Sequence, residues 1–376
     1  TLRSAGALSL SVDAALDNRE GRIDSDEAAQ IRAGALDNSG GRIVAGSADV
    51  QVDQHLDNTG GLIGTREGDL LLQAGALGNQ AGTVQAASRA QLQVAAALDN
   101  QRGRISGAQL QLRTGGAVDN RSGQLLATDG ALGLSVGGSV DNRGGTVGTQ
   151  AGDIHLHSAG NLDNRDGGTV LSAGALTLSA DGVLRNAGGR IDSHAATTLT
   201  ATALDNQQGR LVADTGALQL RVTDAVDNRR GTLGSIGAAV DVRAARLSND
   251  EGQLIAGGNL QEQADALGNR QGLLQAGGNA RLHAQHIDNR GGQLLAGRAL
   301  QLQAAHLDNR HGLLSAGDAE LQVDVLDNQQ DGRSDTGVFA NGALTARLAQ
   351  LHGDGRLFGN AALQLHLLGD YQHAIA

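Results

Sequence analysis

One phrase recurs along this chain at an interval that no ordinary globular core would impose. Leu16-Asp17-Asn18 returns as Leu36-Asp37-Asn38, then as Leu56-Asp57-Asn58, and so on to Leu326-Asp327-Asn328. The sixteen copies place their asparagines at Asn18, Asn38, Asn58, Asn79, Asn100, Asn120, Asn142, Asn164, Asn186, Asn206, Asn228, Asn249, Asn269, Asn289, Asn309 and Asn328, always 19 to 22 residues apart. Self-similarity at a fixed period of this size is the mark of a solenoid, in which each repeat contacts only the repeats beside it.

Alignment on the asparagine organises the rest of the period. The residue two before it is Leu, Ile or Val in all sixteen copies, and the residue just before is Asp in twelve. Three residues after it stands Gly in fifteen copies, Gly21 through Gly312, with Asp331 in the sixteenth and Gly332 one place late. Five residues after it comes Ile, Leu or Val in fourteen copies, Thr169 being an exception. Ahead of each asparagine runs an alternating segment such as Ala299-Leu300-Gln301-Leu302-Gln303-Ala304, whose period of two marks a strand with one buried face. The Asn and Gly positions read as the sharp turns, since both residues tolerate positive φ.

Each period therefore offers about three short strands, too little to bury an apolar face alone, and successive periods must stack. The expectation is an all-β, right-handed parallel β-helix of about eighteen coils, with 19 to 22 residues per coil. Composition agrees. Only Phe339, Phe358 and Tyr371 are aromatic, so a core must be built narrowly from Leu, Ile, Val and Ala. Proline is absent, as expected where every interior strand donates to a ladder on both sides. A helical solenoid is disfavoured, because the 57 glycines would each cost roughly 1 kcal/mol in a helix interior. Leucine-rich repeats want Leu two residues after the asparagine, and here it does not come there. Aligned asparagines should form an internal ladder of side-chain amides that relieves the buried turn of unpaired polar groups.

Residues 1–330 carry the regular repeats. Residues 331–376 depart from them: Leu348-Ala349-Gln350 takes the slot of Leu-Asp-Asn, with Gly353 at plus three, as a degenerate coil, a cap or a transition to another region. All three aromatic residues fall there, where an open edge needs covering.

The phrase Ala-Leu-Asp-Asn-Arg-Gly-Gly, followed by Ile or Leu and then Ala-Gly, resembles the haemagglutinin repeats of filamentous haemagglutinins. Similar repeats build the stalks of contact-dependent growth inhibition exoproteins. The likeness covers residues 1 to about 330, in copies such as Asp308-Asn309-Arg310-His311-Gly312 with Leu314, Ala316 and Gly317, and its specificity comes from repetition. It implies a secreted or surface-displayed protein of a Gram-negative bacterium, exported by two-partner secretion through a dedicated outer-membrane pore. It also implies, for the parent protein, a receptor on a host cell or a neighbouring bacterium. With no initiator Met and no basic-then-apolar leader at Thr1, the chain reads as part of a longer polypeptide.

Other function classes find little support. A net charge of -11, no basic patch and no Lys, all 29 basic residues being Arg, argue against nucleic acid and anionic membranes as partners and against a Walker-type phosphate loop. No stretch approaches the ~18 apolar residues of a membrane span. Zero Cys fits export without disulfides but does not require it.

The twelve aspartates before the asparagines would stack about 5 Å apart, and calcium is the tempting reading. The nine-residue calcium β-roll pattern is missing, however, and arginine follows the asparagine at Arg19, Arg121, Arg143, Arg165, Arg229, Arg270, Arg290 and Arg310. A solvated turn column is the plainer reading. His286 and His306 occupy one place in adjacent periods near Asp288 and Asp308, but zinc would need further ligands. His155 and His157 share one face of a strand. Asp24 to Glu27 and Asp331 to Asp335 gather carboxylates in turns without an identifiable partner.

A β-helix polysaccharide lyase or glycosidase would need a cleft from long inserted loops and aromatic sugar platforms. Neither is visible before Phe339. No catalytic, cofactor-binding or metal-ligating residue is assigned, no cofactor is expected, and the expectation is not an enzyme. Two readings stand: a structural shaft projecting an adhesive or toxin-delivering tip, or coils that are themselves a multivalent adhesin for glycan or protein.

Overall fold

A computed structural model describes residues 1–330 and 336–369, together with the backbone of residues 371–372. Among these residues there is no helix. Every strand pairing is parallel, and the fold is a β-solenoid of about eighteen turns. The chain divides into two compact units, Thr1–Ser193 and His194–Ala376.

The coil Asn38–Asp57 shows how the first unit is built. After the asparagine turn, Arg42–Ala45 forms a short strand with Ile43 and Ala45 inward. The chain turns a corner and runs as Ser47–Asp57, putting Ala48, Val50, Val52 and Leu56 inward at 6% exposure or less. Each inward residue meets its equivalent in the next coil: Ile43 opposes Ile63, Val50 opposes Leu72, and Leu56 opposes Leu77. The second unit repeats this, with Leu294 against Leu314, Leu302 against Leu321 and Leu307 against Leu326. Each interior Leu, Ile or Val is worth roughly 1.5–3 kcal/mol of burial, so the core is a sum of small equal layers.

Three strands per coil is the rule from Arg89 to Gly268, as in Arg104–Gly107, Gln109–Thr114 and Val118–Asp119. In earlier and later coils the second and third strands merge into one long bent strand, such as Ala28–Asp37 or Ala299–Asp308. Register shifts by a residue at the bend where neighbouring corners differ in length, for instance between Ala33 and Leu36. From Asn18 to Asn309 the residue seven after the asparagine, or eight after Asn164, is a small one folded into a corner. Ser25 there donates to the Gly6 carbonyl at 2.7 Å, Thr65 to Gly68 at 2.7 Å and, in the second unit, Ser235 to Gly216 at 2.7 Å.

Three readings of the sequence need correction. The first concerns the turn. The left-handed conformation falls on the residue two after the asparagine in each of the first fifteen turns, and not on the asparagine; the glycine three after it joins in only at Gly167 (φ 78°), in the one turn with an extra residue. Ten of those fifteen residues are not glycine, among them Glu20 (φ 51°), Arg102 (φ 55°) and His311 (φ 59°). The glycine is required by crowding instead. A Cβ on Gly41 would stand 2.7 Å from the Asn38 Oδ1 and closer still to the Asn18 carbonyl oxygen of the coil before.

Thr169 is the second, an apparent exception in the core that disappears. The turn after Asn164 holds one extra residue, so Gly168 rather than Gly167 fills the crowded slot, and Val170 is the inward residue, opposite Val147.

The third correction lies in the last coils. Leu326 opposes Leu351 and Asp327 opposes His352, so Leu351-His352-Gly353 takes the Leu-Asp-Asn slot, three residues beyond Leu348-Ala349-Gln350. Leu348 is instead an inward residue opposite Val323. The shift follows from extra chain after Asn328: Val338 pairs with Leu314, ten residues after that asparagine instead of five. Asp331 to Asp335 and Gly332 lie outside the described residues. Phe339 and Phe358 stack in register with ring centroids 6.3 Å apart, and Phe358, Leu363, Leu365 and Leu368 are exposed. The side chain of Tyr371 lies outside the described residues.

Two measurements check these assignments. Leu204, 1% exposed, should tolerate Asp badly, with a loss of about 4 kcal/mol by urea titration, while Arg290→Ala stays within about 1 kcal/mol. Similar losses in both would refute the inward and outward assignment. Arg102→Gly should raise stability by about 0.5 kcal/mol, since relief of the left-handed conformation outweighs the added freedom of the unfolded chain.

Candidate functional site

The feature that repeats most faithfully is the corner around the asparagine, and its two sides are chemically opposite. On the inside, the asparagine side chains are buried, all at 1% exposure or less except Asn18 at 7%. In the first unit the Asn18 Nδ2 donates to the Asn38 Oδ1 at 2.6 Å, and the link repeats through Asn58, Asn79, Asn100, Asn120, Asn142 and Asn164 to Asn186 at 2.6–2.7 Å. In the second unit it runs from Asn206 through Asn228, Asn249, Asn269, Asn289 and Asn309 to Asn328 at 2.7–2.9 Å. The same amide also reaches carbonyls, as Asn58 does to Gly61 at 3.3 Å and to Thr83 of the next coil at 3.1 Å. The backbone follows suit: the Asn38 N–H donates to the Asp57 carbonyl at 2.7 Å, and the Gly41 N–H closes the turn on the Asn38 carbonyl at 2.9 Å. One amide per coil thus satisfies a buried turn whose polar groups would otherwise be costly. The column ends at Asn328, whose Nδ2 donates to the Arg356 carbonyl at 3.1 Å, because the next slot holds Gly353.

On the outside the aspartates alternate with arginines. Asp119 takes the Arg121 backbone N–H at 3.0 Å and its guanidinium at 2.6 Å, and Arg121 also faces Asp141 at the following corner at 3.7 Å. Arg143 repeats this between Asp141 and Asp163. In the second unit Arg290 lies between Asp288 and Asp308. Burial pushes the Asp288 carboxyl upward, but hydrogen bonds from Arg290 and Arg270 prevail and hold it at about 2. Hydrogen bonds from Arg19 likewise hold Asp17 at about 2. Most of the column is thereby engaged with guanidinium groups, while Asp99 takes the side-chain amides of Gln80 and Gln101 and Asp327 takes two histidines. Among the described residues no group of three or more His, Asp or Glu converges as a metal-binding set.

The histidines separate. His286 and His306 meet edge to face with centroids 6.4 Å apart, but the His306 Nε2 turns to the Asp327 Oδ2 at 2.9 Å, and His352 reaches the other oxygen at 2.9 Å. Asp308 is held by Arg310 and Arg290, so the suspected ligands do not converge. His155 and His157 are exposed on one strand face, beside Gly133 and Ser135 of the preceding coil. Of the turn at Asp24 to Glu27, Asp24 is 2% exposed beneath Arg22 and Arg66, and Asp26 pairs with Arg3 at 3.6 Å.

Two features escaped the sequence reading. The aspartate column of the second unit is interrupted at Ser248 and Gly268, and the short side chains leave a shallow hollow of about 580 Å³, walled by Asp227, Arg229, Arg246 and Arg270. Arg270 has Gly268 in place of an aspartate at its own corner and reaches Asp288 at the following corner at 2.6 Å. The second is Glu262, in the segment Leu260-Gln261-Glu262-Gln263-Ala264, where the alternation calls for an aliphatic residue. It is 1% exposed. The signal for both was a break in a column of the alignment.

Adjacent residues on opposite sides of this corner give a sharp test. Asn120→Asp, which removes a donor and buries a charge, should cost about 3 kcal/mol or more, and Asp119→Asn less than about 1 kcal/mol. Chemical denaturation of both variants decides it; equal losses would contradict the buried amide column.

No curated protein sequence and no solved structure matches the chain. A family model does: the haemagglutinin repeat matches residues 3–74, 65–122, 120–166, 165–229, 215–284 and 268–370. Those matches run along nearly the whole chain, over the same coils whose asparagine corners recur, and the protein belongs to the haemagglutinin-repeat family.

Proposed function

We propose that this chain is a length of shaft from a large exported bacterial surface protein, serving to hold an adhesive or toxin-delivering region away from the cell. The observation that carries this reading is uniformity. From Asn18 to Asn328 coil length stays within 19 to 22 residues, and no coil before residue 331 inserts a loop long enough to build a cleft. Haemagglutinin repeats are of adhesin type, which supports a role at or beyond the cell surface and a non-enzymatic one. Export through an outer-membrane pore of a Gram-negative cell suits the architecture, because each coil needs only its predecessor to fold. The partner of the parent protein is then a receptor on a host cell or a neighbouring bacterium.

A second reading, that the coils are themselves adhesive, has one observation in its favour: the hollow at Ser248 and Gly268, where charged walls surround an uncharged floor. Binding of the labelled, folded protein to mammalian epithelial cells and to neighbouring bacteria separates the two. The shaft predicts no saturable binding to either. Saturable binding abolished by Arg229→Ser and Arg246→Ser would place the adhesive site in these coils and overturn the proposal.

A further inference from the structure

Glu262 stands in the one place where its chemistry is least welcome. Its strand, Leu260–Gln263, pairs with Val240–Arg243 on one side and Ala280–Asp288 on the other, and in register Glu262 lies between Val242 and Leu282. Its inward neighbours along the strand are Leu260 and Ala264, and across the coil Leu254, Ala256 and Leu267 face the same interior. Neither carboxyl oxygen finds a hydrogen-bond partner.

The charged and titratable groups on the packed strands turn the other way. Asp241 and Arg243 on the preceding coil face outward, as do Arg281, His283 and His286 on the following one and Arg246 at the neighbouring corner. Asp288 is bound to Arg290 and Arg270. The buried hydroxyl of Ser235, in the preceding coil, is committed to the Gly216 carbonyl at 2.7 Å. No counter-charge reaches Glu262, and an ionised carboxylate there would forfeit its hydration with nothing in return.

We propose that the coil carrying Glu262 takes up one proton as it folds, so that this point of the solenoid is held together more firmly in mildly acidic than in alkaline surroundings. The folded group is a neutral carboxylic acid. Burial raises its pKa from the ordinary 4.5 to about 8, opposed only weakly by the backbone N–H of His283, which approaches the carboxyl group without closing a hydrogen bond on it. Because the folded value is the higher one, the stability is fully present below about 4.5, declines as pH rises through the window, and reaches its floor above about 8. An exported chain meeting neutral medium with Glu262 ionised must bind a proton before this coil closes.

The test compares the full chain with Glu262→Leu and Glu262→Gln. Hydrogen exchange of residues 253–268, read by mass spectrometry and taken as the ratio of wild type to Glu262→Leu at each pH, removes the intrinsic pH dependence of exchange. The wild type should lose protection relative to Glu262→Leu by up to about tenfold per pH unit between pH 5 and 8. Distant coils should show no such trend. At pH 7 the wild type should also show the infrared carbonyl band of a protonated carboxylic acid, absent from Glu262→Gln. A protection ratio independent of pH, or a band that survives in Glu262→Gln, overturns the proposal.

Discussion

A column of buried side-chain amides is the interaction on which the other features of each coil depend. An asparagine amide can donate and accept along the same axis as the backbone ladder, so one residue per coil satisfies a turn that is sealed from water. Once that amide is fixed, the turn has little latitude. The residue three later must be glycine because the carbonyl of the preceding asparagine occupies the space of its side chain. The residue between them must take the left-handed conformation, whatever its identity, because the turn closes on the asparagine carbonyl. Where the amide is replaced, at Gly353, the coil geometry changes and the column stops.

This arrangement explains why the surface varies more freely than the corner. The aspartate just outside the asparagine secures the next backbone N–H and an arginine, an exposed pairing that tolerates exceptions at Gly78, Arg185, Ser248 and Gly268. Variation there alters local relief without disturbing the stack, as the hollow of the second unit shows. A stacked solenoid gains from this separation: the interior lets each coil close on its neighbours alone, and the exterior is free to drift or to acquire a binding role. Glu262 is the exception on the inside, tolerated because a carboxyl group can shed its charge where an arginine could not.

The fold class was legible because a strict period carries its own alignment. Sixteen copies reveal which columns are invariant, and the period-two segments reveal which faces are buried. Errors arose where counting residues replaced tracing space. Thr169 seemed to break the core because one residue added to the turn moves the count but not the register, and Val170 fills the place. Leu348-Ala349-Gln350 resembled the repeat at the expected distance, whereas the extra chain after Asn328 displaces the true slot to Leu351-His352-Gly353. The suspected pairing of His286 and His306 was sound as placement, but Asp327 claims the second ring, and spacing alone cannot rank competing hydrogen bonds.

The amino-acid sequence by itself determined the period, the stacked parallel strands and the composition of the core, because those follow from patterns that repeat regardless of surroundings. Only the tertiary structure decided which turn residue is left-handed, why the glycine is indispensable, how arginines distribute themselves between coils, and that Glu262 meets no partner. Each of those depends on atoms of the coil before or after, roughly twenty residues away in the chain and within a few ångströms in space.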